Sequence, residues 1–254
     1  PIRWLSAISR YKVTFSAGPN FAFDMCVAKI PPEDRTGLDL QSWTMALVGA
    51  EPISAKTLAR FTEAFEPHGF KPTAFFQGYG LAEAVLSVSS GAIGKMHNTL
   101  QVNSQDLHKN IVTPASSGDT IEVVSCGLPL TDQEIIIVHS DTLEVLPEMK
   151  VGEVWIRGDN VTQGYWNRPE STRETFQGYT REPQEGPYLK SGDLGFFHDG
   201  ELYITGRIKE LIIIRGQNHY PTDIEETISQ LEWNHDALRP GNCAAFSVQL
   251  DGQD

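Results

Sequence analysis

The sequence is poor in cysteine, in runs of positive charge and in long apolar stretches, and each shortage removes a class of function. Cys26, Cys126 and Cys243 are odd in number, far apart and free of any C-x-x-C pair. That pattern argues against a disulfide framework or a zinc site and fits a reducing cytosol. The 20 Lys and Arg residues form no run longer than two and face 33 Asp and Glu, for a net charge of −13. Non-specific nucleic-acid binding is therefore disfavoured, because neutralising a phosphate backbone needs clustered cations. No apolar run approaches the roughly 20 residues that cross a bilayer, and the opening Pro1-Ile2-Arg3-Trp4-Leu5 is not a signal peptide. A cytoplasmic protein with no membrane span is expected. Regular periodicity is also missing over 91–125, where Asn, Ser, Gln, His, Thr and Gly dominate. This reads as a long insertion or extended arm without legible chemistry, its His97 and His108 solvated.

What is present is enough apolar residue, 40% of 254, for one large domain or two unequal ones. Apolar spacing predicts a helix over 2–11 and a second one carrying Phe21, Met25, Val27 and Ile30, with Asn20 as its cap. Residues 43–48 read as a buried strand that ends at Gly49-Ala50-Glu51-Pro52. Ser54 then caps a helix with Leu58, Phe61 and Phe65 on one face. Strand, glycine turn, helix is the unit of a mostly parallel sheet, and ligands of such sheets gather beyond the carboxyl ends of the strands. The next unit repeats the plan: a strand over 73–77, a turn at Gly78-Tyr79-Gly80, and a helix over 81–88 with Glu83 in its first turn.

From Gly127 the chain becomes β-rich, with strands over 134–139 and 151–158 and a helix over 168–176 entered at Pro169. Short strands between glycine turns suggest a barrel-like or distorted sheet. A helix over 221–231, with Ile224, Ile228 and Leu231 on one face, and a strand over 243–250 read as the start of a second, α+β domain. Both chain ends read as the interior of a longer protein.

Chemistry concentrates in two places. Tyr79 lies between Gly78 and Gly80, which let backbone approach closely, and its ring offers a flat face to a base. Glu83 is stabilised by a helix start and suits Mg²⁺, which often takes a single protein carboxylate besides phosphates. The plainer reading is that Glu83 only neutralises the helix end. The second place is 188–220. A strand-like alternation over 202–205 and an apolar run over 211–214, bounded by Gly216, flank Gly206, Arg207, Lys209 and Glu210. Asp193 follows a Ser191-Gly192 turn. This frames a polar ligand such as a nucleotide, or else it is a solvated hairpin with charged turns.

Four stretches occur in an order that resembles one family. They are Gln77-Gly78-Tyr79-Gly80-Leu81-Ala82-Glu83; Gly152-Glu153-Val154-Trp155-Ile156-Arg157-Gly158 with Gln163-Gly164-Tyr165; Leu189-Lys190-Ser191-Gly192-Asp193; and Gly206-Arg207-Ile208-Lys209 running on to Gly216. The ordered set is similar to the adenylate-forming enzymes. Ser16-Ala17-Gly18-Pro19-Asn20, the polar insert and Gln217-Asn218-His219-Tyr220-Pro221 resemble the fatty acyl-AMP ligase branch. The resemblance implies an α/β fold: a large domain with a parallel βα sheet and a distorted β-barrel subdomain, followed by the start of a small α+β C-terminal domain. On that basis 1–207 is the C-terminal half of the large domain, divided into 1–126 and 127–207, and 208–254 opens the small one.

The resemblance further implies activation of a fatty acid by ATP with Mg²⁺, then acyl transfer to the phosphopantetheine of an acyl carrier protein. An acyl-CoA synthetase and a non-catalytic nucleotide-binding relative are the alternatives. Tyr79 would stack on adenine, bordered by Gly49, Ala50, Glu51, Gly78 and Gly80. Glu83 would hold Mg²⁺, Asp193 the ribose hydroxyls, Arg207 the ribose or phosphate, and Lys209 the hinge between domains. Ala82 replaces a Thr that donates to phosphate in many relatives. The family's phosphate loop is expected upstream of Pro1 and its catalytic lysine beyond Asp254, so this segment alone is expected not to form acyl-adenylate. An acidic carrier protein would need a local basic patch, with Arg168, Arg173 and Arg181 as candidates.

Overall fold

The computed structural model describes residues 1–214, 217–229, 232–233, 236–237 and 243–248. Helix α1 (Ile2–Tyr11) turns only Leu5 and Ile8 fully inward and stops where Lys12 adopts a left-handed conformation. Strands β1 (Phe15–Gly18), β2 (Met45–Val48) and β3 (Phe75–Tyr79) are parallel neighbours, with Phe15 opposite Met45 and Ala46 opposite Phe75. Helices α2 (Asn20–Lys29) and α3 (Ala55–Phe65) make the crossovers and pack on each other. Phe23, Trp43, Phe61, Phe65, Phe70 and Phe75 are all essentially excluded from water. Phe61 lies 5.1 Å edge-on from Phe23, 4.6 Å from Phe65 and 4.9 Å from Phe70. Each buried ring contributes about 1.5–3 kcal/mol, so the parallel sheet rests on a largely aromatic core, with the Trp43 indole N–H donating to the Met45 carbonyl at 3.1 Å.

Ser54 caps α3 as expected, its Oγ accepting from the Thr57 N–H at 3.3 Å. Asn20 does not cap α2. It is the first helical residue, and its side chain instead donates to the Pro52 carbonyl at 2.6 Å and accepts from the Ser54 N–H at 3.2 Å. It thereby ties the start of α2 to the loop after β2.

The helix expected over 81–88 is absent. One 3₁₀ turn, Ala82–Ala84, is followed by Val85 and Leu86 at positive φ. The chain reverses at once into β4 (Ser89–Ser90), antiparallel to β3. Ala82, Glu83 and Ala84 favour helix locally, but sheet pairing with β3 and with β7 (Leu128–Pro129) overrides that propensity.

The insertion is folded. β5 (Thr99–Asn103) pairs with β6 (Thr120–Val124), and the short helix α4 (Ser104–Leu107) lies between them. Val102, Leu107 and Val123 pack on Phe196, Tyr203 and Tyr220. His97 and His108 are half-buried, not solvated. His97 lies edge-on to Phe75 and His108 sits 5.0 Å from the His219 ring, and burial pushes the pKa of each down.

The β-rich part is a fully antiparallel sheet. Its strands are β8 (Gln133–Val138), β9 (Gly152–Gly158), β10 (Leu189–His198) and β11 (Glu201–Arg207), in the order β11-β10-β9-β8. Two register shifts distort β10, one against β9 and one against β11. Helix α5 (Pro169–Phe176) buries Phe176 against this sheet. Gly206 and Arg207 belong to β11 and do not lie between strands. Beyond them β12 (Ile212–Ile214) pairs with β13 (Gln217–His219). Only Ile212 of that run is buried, and Ile213 and Ile214 are exposed, against expectation. Gly216 and Leu231 lie outside the described residues. Helix α6 spans Pro221–Ser229. Residues 243–248 carry no strand pairing, and the rest of the strand expected there lies outside the described residues.

Candidate nucleotide site

The site forms where the end of β3 meets the middle of β10. Gly192 sits at φ +73 in the irregular stretch of β10. The Asp193 N–H donates to Ser191 Oγ at 3.0 Å, and the Gly192 N–H donates to Glu153 Oε1 at 3.1 Å. Glu153 is itself buried and accepts from Trp155 Nε1 at 2.8 Å. These bonds brace the irregular backbone at Gly192 and Asp193. Antiparallel register places Arg207 opposite, and its Nε donates to Asp193 Oδ1 at 2.9 Å. The other carboxylate oxygen, Oδ2, accepts from the Tyr79 hydroxyl at 2.7 Å.

The Asp193 side chain is 7% exposed and that of Arg207 60% exposed. The acid is thus nearly desolvated while its cation faces outward. Asp193 raises the Arg207 pKa, keeping the guanidinium charged. Burial, then the charge on Asp193, pushes the Tyr79 phenol well above its usual value, so Tyr79 remains a donor. An ionised carboxylate has about four acceptor positions. Two are used here, which leaves capacity for the paired hydroxyls of a ribose.

Around this trio the backbone is close-packed. A Cβ on Gly49 would lie 2.6 Å from the Gly78 carbonyl oxygen, so the loops after β2 and β3 touch main chain to main chain. A Cβ on Gly80 would lie 1.4 Å from the Leu86 carbonyl oxygen, so only glycine fits the reversal. Ala50, next to Gly49, takes φ 73. Glu83 is half-buried on the 3₁₀ turn that leaves Tyr79. Tyr79, Asp193 and Arg207 are therefore in direct contact, with Gly49, Gly78, Gly80 and Glu83 in the adjoining loops. Glu51 and Lys209 are both exposed, and among the described residues no side-chain hydrogen bond or ion pair joins either to the trio. Lys209 lies in the single turn Ile208–Glu210 that immediately follows β11.

Sequence reasoning missed the supports. The loop between β9 and α5 wraps the Glu83 turn. Asn160 Nδ2 donates to the Ala84 carbonyl at 2.6 Å, the Thr162 N–H to the Glu83 carbonyl at 2.8 Å, and the Tyr165 hydroxyl to Glu83 Oε1. Tyr165 belongs to a quoted motif, but spacing assigned it no partner. Nothing in the pattern marked Glu153 as the brace of Asp193.

A family model described as AMP-binding enzyme matches residues 1–166. The chain belongs to the AMP-binding enzyme family. Among curated relatives, the medium-chain-fatty-acid–[acyl-carrier-protein] ligase JamA of Moorena producens is 46% identical, over 100% of this chain and 43% of its own length. The long-chain-fatty-acid–AMP ligase FadD26 of Mycobacterium tuberculosis is 39% identical, over 99% of this chain and 43% of its own length. A solved fatty acyl-adenylate ligase from L. pneumophila, in complex with acyl adenylate and pyrophosphate, superposes with a TM-score of 0.81 at 44% identity. That match covers 100% of this chain and 44% of the solved one. The chain thus spans less than half the length of these relatives. The resemblance to fatty acyl-AMP ligases is borne out, as is the α/β adenylate-forming fold. Among the described residues, no helix is long and apolar enough to cross a membrane.

Proposed function

We propose that the whole protein containing this chain activates a fatty acid with ATP to an acyl-adenylate, then passes the acyl group to the phosphopantetheine thiol of an acyl carrier protein. The observation that carries the reading is the Asp193 carboxylate, held on one oxygen by Arg207 and on the other by Tyr79. A nearly buried acid with spare acceptor positions beside an aromatic ring suits an adenosine: ribose hydroxyls to Asp193, base against Tyr79. Gly49, Ala50, Glu51, Gly78 and Gly80 then border the base, and Arg207 stands toward the ribose or phosphate. The names of the relatives JamA and FadD26 support fatty-acid substrates and, for JamA, the carrier partner.

In the first step a carboxylate oxygen bonds to the α-phosphorus and pyrophosphate leaves. Positioning and charge neutralisation supply most of such catalysis. Glu83 fits a Mg²⁺ role: it is a half-buried single carboxylate with one oxygen already held by Tyr165, and Mg²⁺ commonly takes one protein carboxylate besides phosphates and water. Bound there, the ion would neutralise phosphate charge. In the second step the thiol sulfur attacks the acyl carbon and AMP leaves. Residues 1–207 are assigned to the large domain and 208–254 to the start of the small one, with Lys209 at the hinge, where backbone rotation between the two steps is absorbed.

The test uses full-length protein with a fatty-acid ladder, ATP, CoA and holo carrier protein, followed by mass spectrometry. Acyl-AMP and carrier-bound acyl are expected. Acyl-CoA as the main thioester would move the assignment to an acyl-CoA synthetase. Asp193→Ala is expected to weaken ATP binding by about tenfold or more, since each hydrogen bond to a charged acceptor is worth about 1.5–3 kcal/mol. Undiminished ATP binding would remove the nucleotide site.

A further inference from the structure

Tyr165 bonds to a residue 82 positions away, and helix α5 holds it in place. Its N–H donates to Thr172 Oγ1 at 2.9 Å, and Thr172 Oγ1 returns a longer bond, 3.4 Å, to the Tyr165 carbonyl. The Phe176 ring lies edge-on to the Tyr165 ring at 5.2 Å. Gly164 takes φ +137, and a Cβ there would meet Thr172 Cγ2 at 2.3 Å, so the loop reaches α5 only because residue 164 is glycine. Helix α5 thus fixes Tyr165, and Tyr165 fixes one oxygen of Glu83. Asn160 and Thr162 hold the backbone of the same turn, each donating to a backbone carbonyl and not to the carboxylate. Among the described residues, the Tyr165 hydroxyl is the one partner recorded for the Glu83 side chain.

We infer that Tyr165 is a positioning residue for Glu83: by donating a hydrogen bond to Oε1 it fixes the orientation in which the carboxylate would meet a divalent cation. The inference rests on the reading of Glu83 as the cation ligand. A carboxylate free to rotate on an exposed turn would have to be ordered at each binding event, whereas one already held is preorganised. Partners of this kind, one shell behind a ligand, typically change metal affinity by about 10–100-fold. A purely structural role for Tyr165 predicts something else, namely lower stability with unchanged metal affinity.

The experiment is a Mn²⁺ titration of the full-length protein followed by electron paramagnetic resonance, with a non-hydrolysable ATP analogue present and analogue alone as the blank. Tyr165→Phe keeps the ring and removes the donor. It is expected to weaken Mn²⁺ binding by about tenfold, and to raise the Mg²⁺ concentration for half-maximal turnover while kcat at saturating Mg²⁺ stays near that of the wild type. Thr172→Val, which removes both bonds to Tyr165 at nearly constant shape, is expected to shift Mn²⁺ affinity in the same direction by less. It also carries the test if Tyr165→Phe fails to fold. Glu83→Gln is the reference. If Glu83→Gln weakens Mn²⁺ binding while Tyr165→Phe and Thr172→Val do not, the positioning role is overturned and the metal reading stands. If Glu83→Gln leaves Mn²⁺ affinity intact, the metal reading falls and this inference with it.

Discussion

Asp193 and Arg207 stand opposite each other in an antiparallel ladder, whereas Tyr79 and Glu83 sit where a parallel strand runs out into a turn. The first pair takes its spacing from register. The second takes it from glycines that permit close approach and from a loop that arrives from another sheet. The two halves meet in one hydrogen bond, Tyr79 to Asp193. At ladder positions backbone pairing persists when a side chain changes, so only the bonds of that side chain are lost. At the turn the backbone path itself depends on the close approach its glycines permit.

Gly80→Ala tests the turn half and has the largest expected effect. Its Cβ would fall 1.4 Å from a backbone oxygen, and backbone cannot swing aside as a side-chain tip can. The reversal into β4 would have to open. A loss of about 4 kcal/mol or more in urea unfolding of the full protein is expected, placing it in the exceptional tail of single substitutions. A loss below about 1 kcal/mol would mean that the turn yields easily and that the contrast with the ladder is false.

Glu153→Ala probes the ladder half, where register alone does not account for Asp193. The substitution leaves the buried Trp155 indole N–H and the half-buried Gly192 N–H without their acceptor. Each such orphan costs about 1–3 kcal/mol, so a loss of about 3 kcal/mol is expected. ATP affinity, read by calorimetry on protein that remains folded, should fall as well, because the irregular backbone that carries Asp193 relaxes. Loss of stability with intact ATP affinity would show that strand pairing suffices to hold Asp193 and would sharpen the comparison in favour of the ladder.

How far the sequence disclosed this arrangement follows the same division. Tyr79, Asp193 and Arg207 stood out because each lies beside a glycine in one of the motifs that resemble the adenylate-forming enzymes; spacing alone left a solvated hairpin open for Asp193 and Arg207, and the resemblance supplied their roles. The parallel βα units were legible from the spacing of Leu58, Phe61 and Phe65. The helix expected over 81–88 misled because local propensity cannot report that residues near Leu128 will arrive to pair with β4. The insertion misled because the alternation of Leu100 with Val102 and of Ile121 with Val123 is short and flanked by polar residues, so it read as aperiodic. Glu153 and Tyr165 were invisible in their roles: a buried carboxylate and a bond across 82 residues are tertiary facts that no spacing encodes.

The smallest expected effect concerns the bond that joins the two halves, and it is read through pH. The folded-state pKa of Tyr79 is raised above its unfolded value by burial first and by Asp193 second. A raised phenol holds its proton in the folded chain after the unfolded chain has released it near pH 10. Its contribution is therefore complete below pH 10 and declines as pH rises toward the folded value, at about 1.4 kcal/mol per pH unit. Tyr188, Tyr203 and Tyr220, pushed up to about 12, decline in the same window, so wild type alone would not isolate Tyr79. Tyr79→Phe removes only its share. Urea unfolding at pH 9, 10 and 11 is expected to show the stability gap between wild type and Tyr79→Phe narrowing by about 1 kcal/mol across that range. A constant gap would mean that the phenol titrates alike in both states, and that Tyr79 and Asp193 are neighbours without being coupled.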